Sequence, residues 1–329
     1  MKKLIAMILS LVMTLSLAAC GSSAPAATGA PAAETFKVAI IQQLDHSSLD
    51  EIRTAIETQL KALAAEKGIT IEISYDNGQN DTSMLTQIAT QVVADKVDMI
   101  IPIATLAAQY SVLAAENTGI PVVYAAISDP EGAGLTGLST VTGVSDALNT
   151  PFILDMMLAA QPDVKTVGLL YSTSEVNSEA PIAEAKAYLD AKGIAYLEKT
   201  GTTSGEIVEA AASLVGRVEA VFTPTDNVVM AAEASVAELL NADGIAHYTG
   251  ADSFVQSGAF TTCGVNYTEL GTKVGDMAFE ILSGGAIGEF VVMDGGIITV
   301  NTDTAAAIGV DYEVFNTMAN TLVTVTTAE

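Results

Sequence analysis

Polar side chains collect where the β-rich runs of this chain end. Gln42, Gln43, His46 and Ser48 follow the run 36–41, Asn77 and Asp81 follow 69–75, Thr105 follows 97–103, and Ser128 and Asp129 follow 121–127. Farther on, Ser172 and Asn177 follow 166–172, Thr225, Asp226 and Asn227 stand at the end of 220–226, and Asp252 and Ser253 follow 245–251. These groups offer donors and acceptors rather than a nucleophile with its base, which suits capture of a small zwitterion. A helix starting near Thr105 and Ala107 presents backbone N–H groups and a hydroxyl to a carboxylate. An acidic side chain, Asp226 or Asp252, can accept from an ammonium. The candidate binding set is Gln43, Ser48, Thr105, Ala107, Ser128, Asp129, Tyr171, Asn177, Thr225, Asp226, Asn227 and Asp252. Helix capping explains any one Ser, Thr, Asp or Asn among them, but not so many polar ends meeting in one place.

The chain has no Trp, so aromatic walls must come from Tyr or Phe; Tyr124, Tyr171, Phe254 and Tyr267 lie near strand ends, with ordinary core packing as the alternative for each.

Position follows from the elements. From residue 36, short β-forming runs (36–41, 69–75, 97–103, 121–127) alternate with helical stretches near 49–67, 81–96 and 107–117, the pattern of parallel α/β units. The cycle restarts with runs at 166–172, 194–200, 220–226 and 245–251, separated by helices near 178–192, 206–215 and 227–241. A run at 259–265, a helix at 268–283 and a strand-like stretch at 290–300 complete a less regular last third. The expected fold is α/β: two doubly wound parallel-sheet lobes joined by a multi-crossing hinge, with ligand beyond the carboxyl ends of the strands. The expected divisions are lobe 1 at 36–146 plus 267–285 and lobe 2 at 147–266 plus 286–329. The architecture repeats; the sequence does not.

The amino terminus reads as a lipoprotein leader. Lys2 and Lys3 precede an apolar run, and Leu17-Ala18-Ala19-Cys20 ends it with small residues before a cysteine. The expectation is a signal peptide over 1–19, acylation of Cys20, and a small-residue, Pro-containing tether over 20–35. Loss of Lys2 and Lys3 would take the formal charge of −26 to −28. With 13 Lys and Arg in all, nucleic acid is excluded as a partner and an anionic membrane surface repels the body, so lipid would supply attachment. With Cys20 acylated, Cys263 has no partner for a disulfide and reads as a small buried hydrophobe.

Enzyme and cofactor motifs are weak. Residues 132–137 match G-x-G-x-x-G, yet follow Asp129-Pro130 and run into Val141 without a helix, which fails the context of a dinucleotide site. The two histidines, His46 and His247, lack metal-site spacing. No cofactor and no catalytic residues are expected.

Segments along nearly the whole mature chain resemble one family. They include Asp81-x-Ser83, Ala104-Thr105, Ile120-Pro121-Val122-Val123-Tyr124, Ser128-Asp129-Pro130 and Ala133-Gly134-Leu135. Thr142-Gly143-Val144-Ser145-Asp146, Tyr171-x-x-x-Glu175-x-Asn177-Ser178, Pro224-Thr225-Asp226-Asn227 and Val265-Asn266-Tyr267-x-x-Leu270-Gly271 continue it. The chain resembles the bacterial ABC-transporter substrate-binding lipoproteins whose characterised members bind tryptophan, tyrosine or phenylalanine. That resemblance implies a type I periplasmic-binding fold with three hinge crossings, a monomer anchored outside the cytoplasm, and delivery of an amino acid to a permease driven by an ATPase subunit. It places binding roles on Thr105, Asp129, Asn177, Asp226 and Asp252. The chain departs from the family at Ser47 and Leu106, where members often carry proline. A sugar or nucleoside ligand on the same fold, an extracytoplasmic enzyme and a surface adhesin are the rival readings.

Overall fold

A computed structural model describes residues 34–328; the leader 1–19, Cys20 and the tether as far as residue 33 lie outside the described residues. The first strand, β1 (Thr35–Gln42), leads to α1 (Ser47–Lys67), β2 (Thr70–Asn77), α2 (Thr82–Ala94), β3 (Met99–Ile103), α3 (Thr105–Ala115), β4 (Val122–Ala125) and β5 (Val141–Ser145). After α4 (Thr150–Ala160) the second series runs β6 (Thr166–Ser172), α5 (Glu179–Lys192), β7 (Ala195–Gly201), α6 (Ser204–Ala212), β8 (Ala220–Thr223), α7 (Asn227–Met230), α8 (Glu233–Ala242), β9 (Ala246–Thr249), α9 (Asp252–Gln256) and β10 (Thr261–Gly264). The chain closes with α10 (Tyr267–Leu282), β11 (Val291–Val292), β12 (Ile297–Asn301), α11 (Thr302–Ile308) and β13 (Thr321–Val325).

Two sheets result, ordered β11-β5-β4-β3-β1-β2 and β13-β12-β10-β9-β8-β6-β7. The first is parallel throughout, and the second has one antiparallel pairing, β10 with β12. Fully buried runs such as Met99–Ile103 and Val122–Ala125 show why: strands covered by helices on both faces are apolar throughout. Each sheet reverses its winding beside its first strand, between β1 and β3 and between β6 and β8. Such switch points open a crevice at the strands' carboxyl ends.

The chain passes between the sheets three times, after β5, after β10 and after β11. The segment 286–329, expected with the second lobe, is shared. Val291 and Val292 pair with Val144 and Ser145 of β5 and cover what would be a bare sheet edge, and only then does the chain return to the second sheet as β12.

Helix α10 packs along α1, and two glycines set how close it comes. A Cβ on Gly271 would lie 2.5 Å from the Ile52 carbonyl oxygen and 2.7 Å from the Ala55 Cβ, and one on Gly275 would lie 2.8 Å from the Gln59 Cβ.

Candidate functional site

Between the carboxyl edges of the two sheets lies a narrow cavity of about 30 Å³, so the lobes must part to admit a small-molecule ligand. One wall carries His46, Ser48, Leu49, Ala104, Thr105, Ala126 and Ser128 from the first sheet's loops. Asn177, Thr225, Asp226, Asn227, Met230, Ala251 and Phe254 face them from the second, and Asp146 and Tyr267 stand at two of the crossings. The lining is therefore part apolar and part hydrogen-bonding, as an amphiphilic ligand requires.

Helix α3 begins at the cavity without a side-chain cap. Its Leu106 N–H is taken by Gln43 Oε1 at 2.9 Å, while Thr105 heads the helix at the cavity wall. Ala104 just before it (φ 73°, ψ 165°) and Ala126 after β4 (φ 56°) both hold left-handed backbone without being glycine. Strain of this kind persists only where surrounding structure over-determines it, and here both instances border one cavity.

Three side-chain hydrogen bonds join the two walls. Gln43 Nε2 donates to Glu175 Oε1 at 2.8 Å, Ser48 Oγ donates to Asp252 Oδ1 at 2.8 Å, and Ser128 Oγ lies 2.7 Å from Thr225 Oγ1. The lobes are closed on each other.

Of the twelve candidates, Ser48, Thr105, Ser128, Asn177, Thr225, Asp226 and Asn227 line the cavity. The other five do not. Gln43 is buried behind the wall, where it fixes α3 and bridges to Asn80 and Glu175. Ala107 is wholly buried in the first lobe's core and does not line the cavity. Asp129 turns away to hold the Gly132 N–H at 2.9 Å. Tyr171 lies on the far side of its strand, its hydroxyl on Glu198. Asp252 is spent on Ser48 and borders a different crevice. Among the aromatic candidates Phe254 and Tyr267 wall the cavity, whereas Tyr124 is wholly buried in the core of the first sheet.

Asp226 lines the cavity but is not an open acceptor. Its Oδ1 takes the N–H groups of Val228 and Val229, and its Oδ2 takes the Ser172 N–H and the Ser178 hydroxyl. It is the N-cap of α7, and its lone pairs are filled. Glu175 beside it is fully buried and accepts amides from Gln43 and Asn227. Burial, with Asp226 nearby, pushes its carboxyl up to about 7. Burial likewise lowers His46 to about 4, so that its ring is neutral at pH 7.

Sequence reasoning passed over Asp146, Met230, Ala251 and Leu49. Asp146 follows β5, a strand not foreseen because 141–145 is short and follows a Gly-rich turn. Gly134 and Gly137 in that turn have positive φ (73° and 71°), and no helix follows them, so the G-x-G-x-x-G match is a connection between strands. His247 is in the core, bonded to Glu233 and Thr223, and among the described residues no His, Cys, Asp and Glu side chains group as a metal site. Cys263 is buried and its thiol is pushed up to about 11 by burial.

Two doubly wound lobes closing over a mixed cavity define a solute-binding protein. The family described as ABC transporter substrate binding protein matches residues 37–318, and the chain belongs to it. It is 33% identical over 278 residues to a tyrosine-binding protein of Clostridioides difficile, spanning 82% of this chain and 80% of that one. An ABC domain from Streptococcus pneumoniae, solved in complex with L-Trp, is 29% identical and superposes with a TM-score of 0.81, covering 88% of this chain and all of that one. A ligand-free, open substrate-binding protein with adhesive properties from Clostridium difficile is 32% identical with a TM-score of 0.67, covering 89% of this chain and all of that one. The chain thus superposes better on the ligand-bound relative than on the more identical open one, as its closed lobes require. The family binds solutes outside the cytoplasm and is not enzymatic. Among the described residues no helix is long and apolar enough to cross a membrane.

Proposed function

We propose that this protein captures an aromatic amino acid, Trp, Tyr or Phe, in the interlobe cavity and delivers it to the permease of an ABC importer. The observation that carries the reading is the composition of the two facing walls between the lobes. Phe254, Tyr267, Leu49 and Met230 give an apolar wall, while Thr105 at the head of α3 and the amides of Asn177 and Asn227 give a polar one. A carboxylate set at Thr105 gains the helix N-terminus, and an aromatic side chain fills the apolar side. The Asn177 Oδ1 atom is buried without a partner, an acceptor left over for a ligand donor. The names of the Clostridioides and Streptococcus relatives support the same ligand class.

Closure supplies the signal to the permease. Ligand gripped from both walls favours the arrangement in which Gln43–Glu175, Ser48–Asp252 and Ser128–Thr225 are made, and that closed face is what a permease would read. Attachment through acylated Cys20 keeps the protein beside it. Fractionation of cells carrying the wild type and Cys20→Ala tests that anchor, the variant being released from membranes.

Thermal unfolding of the purified protein against the twenty amino acids and a set of sugars and nucleosides tests the ligand. A hundredfold excess over the dissociation constant stabilises the folded state by about 2.7 kcal/mol. Shifts confined to Trp, Tyr or Phe support the reading; shifts with sugars or nucleosides alone overturn it.

A further inference from the structure

Four acidic side chains stand in or behind the cavity, and three are already committed. Asp226 accepts four hydrogen bonds, Glu175 accepts an amide on each oxygen, and Asp252 faces a different crevice with Ser48 on its Oδ1. Asp146 is the exception. It lines the cavity, is 6% exposed, and its one side-chain donor is Ser128 Oγ at 3.0 Å. Among the described residues no Lys, Arg or His forms an ion pair with it. A buried carboxylate so thinly supported is expensive unless a cation completes it.

We propose that Asp146 holds the ligand's ammonium group and so selects an α-amino acid over its deaminated analogue. The inference rests on the amino-acid reading of the cavity and names the group that enforces it. Hydroxyl geometry agrees. Ser128 has a single proton; with that proton on Asp146, Thr225 must be the donor in the 2.7 Å Ser128–Thr225 contact. A chain of two hydroxyls, one from each wall, then points its protons toward Asp146 and steadies its negative charge. Burial alone pushes the carboxyl up to about 6, and an ammonium beside it favours the ionised form. The same residue stands where the chain first leaves the first sheet for the second, so filling it couples ligand to a hinge crossing.

The test compares L-Tyr with 3-(4-hydroxyphenyl)propanoate and L-Phe with 3-phenylpropanoate by calorimetric titration of the wild type and Asp146→Asn. In the wild type the amino acid should bind about a hundredfold more tightly than its deaminated partner, the worth of a buried charge-assisted bond. In Asp146→Asn that ratio should fall toward unity, chiefly because the amino acid binds more weakly. A variant that keeps the full ratio overturns the assignment while leaving the amino-acid reading intact. Failure of both amino acids to bind the wild type overturns both. If the variant does not fold, the wild-type complex decides: the ligand nitrogen lies within hydrogen-bond reach of Asp146, and a nitrogen seated on Asp252 or Glu175 refutes the proposal.

Discussion

Gln43 Nε2 donates to Glu175 Oε1 over 2.8 Å, tying the end of β1 to the loop after β6. Both side chains are buried, and Gln43 is also the residue that takes the Leu106 N–H at the head of α3. One amide therefore holds a ligand-facing helix and latches the lobes. Gln43→Ala removes both of these bonds and a third, to Asn80 Oδ1, and leaves buried partners unsatisfied, each worth about 1–3 kcal/mol. Urea unfolding should show a loss of about 3 kcal/mol, and ligand titration a weaker affinity, because the closed state contains the latch. Unchanged affinity would show that closure does not depend on this bond.

Glu175 makes stability depend on pH. Its carboxyl is raised from 4.5 to about 7 by burial and by Asp226. Between those values the folded protein holds a proton that the unfolded chain has released, so stability is greatest below the lower value and falls as pH rises toward the upper one. Asp146 and Asp252, also raised by burial, act in the same direction, and His46, lowered to about 4, acts oppositely. Glu175→Gln isolates the one contribution. Thermal scans from pH 5 to 8 should show a shallower decline for the variant, by an amount on the order of 3 kcal/mol of unfolding free energy at most. Parallel curves would place the titration elsewhere.

Asp226 separates a structural role from a binding one. With four donors on its carboxylate, Asp226→Ala strips the cap of α7 and leaves the N–H groups of Ser172, Val228 and Val229 without their acceptor. The ligand-free protein should lose about 2–4 kcal/mol. A ligand-free melt identical to the wild type, with binding abolished, would return Asp226 to the role of ammonium acceptor.

The α/β alternation, the lobe repeat and most of the polar cavity wall were legible because many of the hydrophobic runs lead into Ser, Thr, Asp or Asn. Ser48, Thr105, Ser128, Asn177 and Thr225 stood out for that reason. What was not legible is direction. Nothing in spacing shows that Asp129 folds back onto Gly132, that Tyr171 points to Glu198, or that Gln43 turns inward to Glu175. Asp146 was hidden differently: neither β5 nor the helix after it was foreseen, so no strand end was expected at that position. The helix over Thr150–Ala160 was missed as well; it is so apolar that its buried face has little polar counterpart to reveal a period.

His247 closes the account of the two histidines. Its Nδ1 lies 3.0 Å from Glu233 Oε1 and its Nε2 2.8 Å from Thr223 Oγ1, with all three residues at 0% exposure. Its ring meets Phe254 edge-on at 6.4 Å, so it supports a cavity-lining side chain from behind without lining the cavity itself. His247→Ala leaves the Glu233 carboxyl and the Thr223 hydroxyl buried without this partner, a defect of about 1–3 kcal/mol for each. A lowered denaturant midpoint is expected, with ligand affinity nearly unchanged at a temperature where the variant is fully folded. A loss of about tenfold or more in affinity, 1.4 kcal/mol, without loss of stability would mean that this core triad shapes the cavity directly.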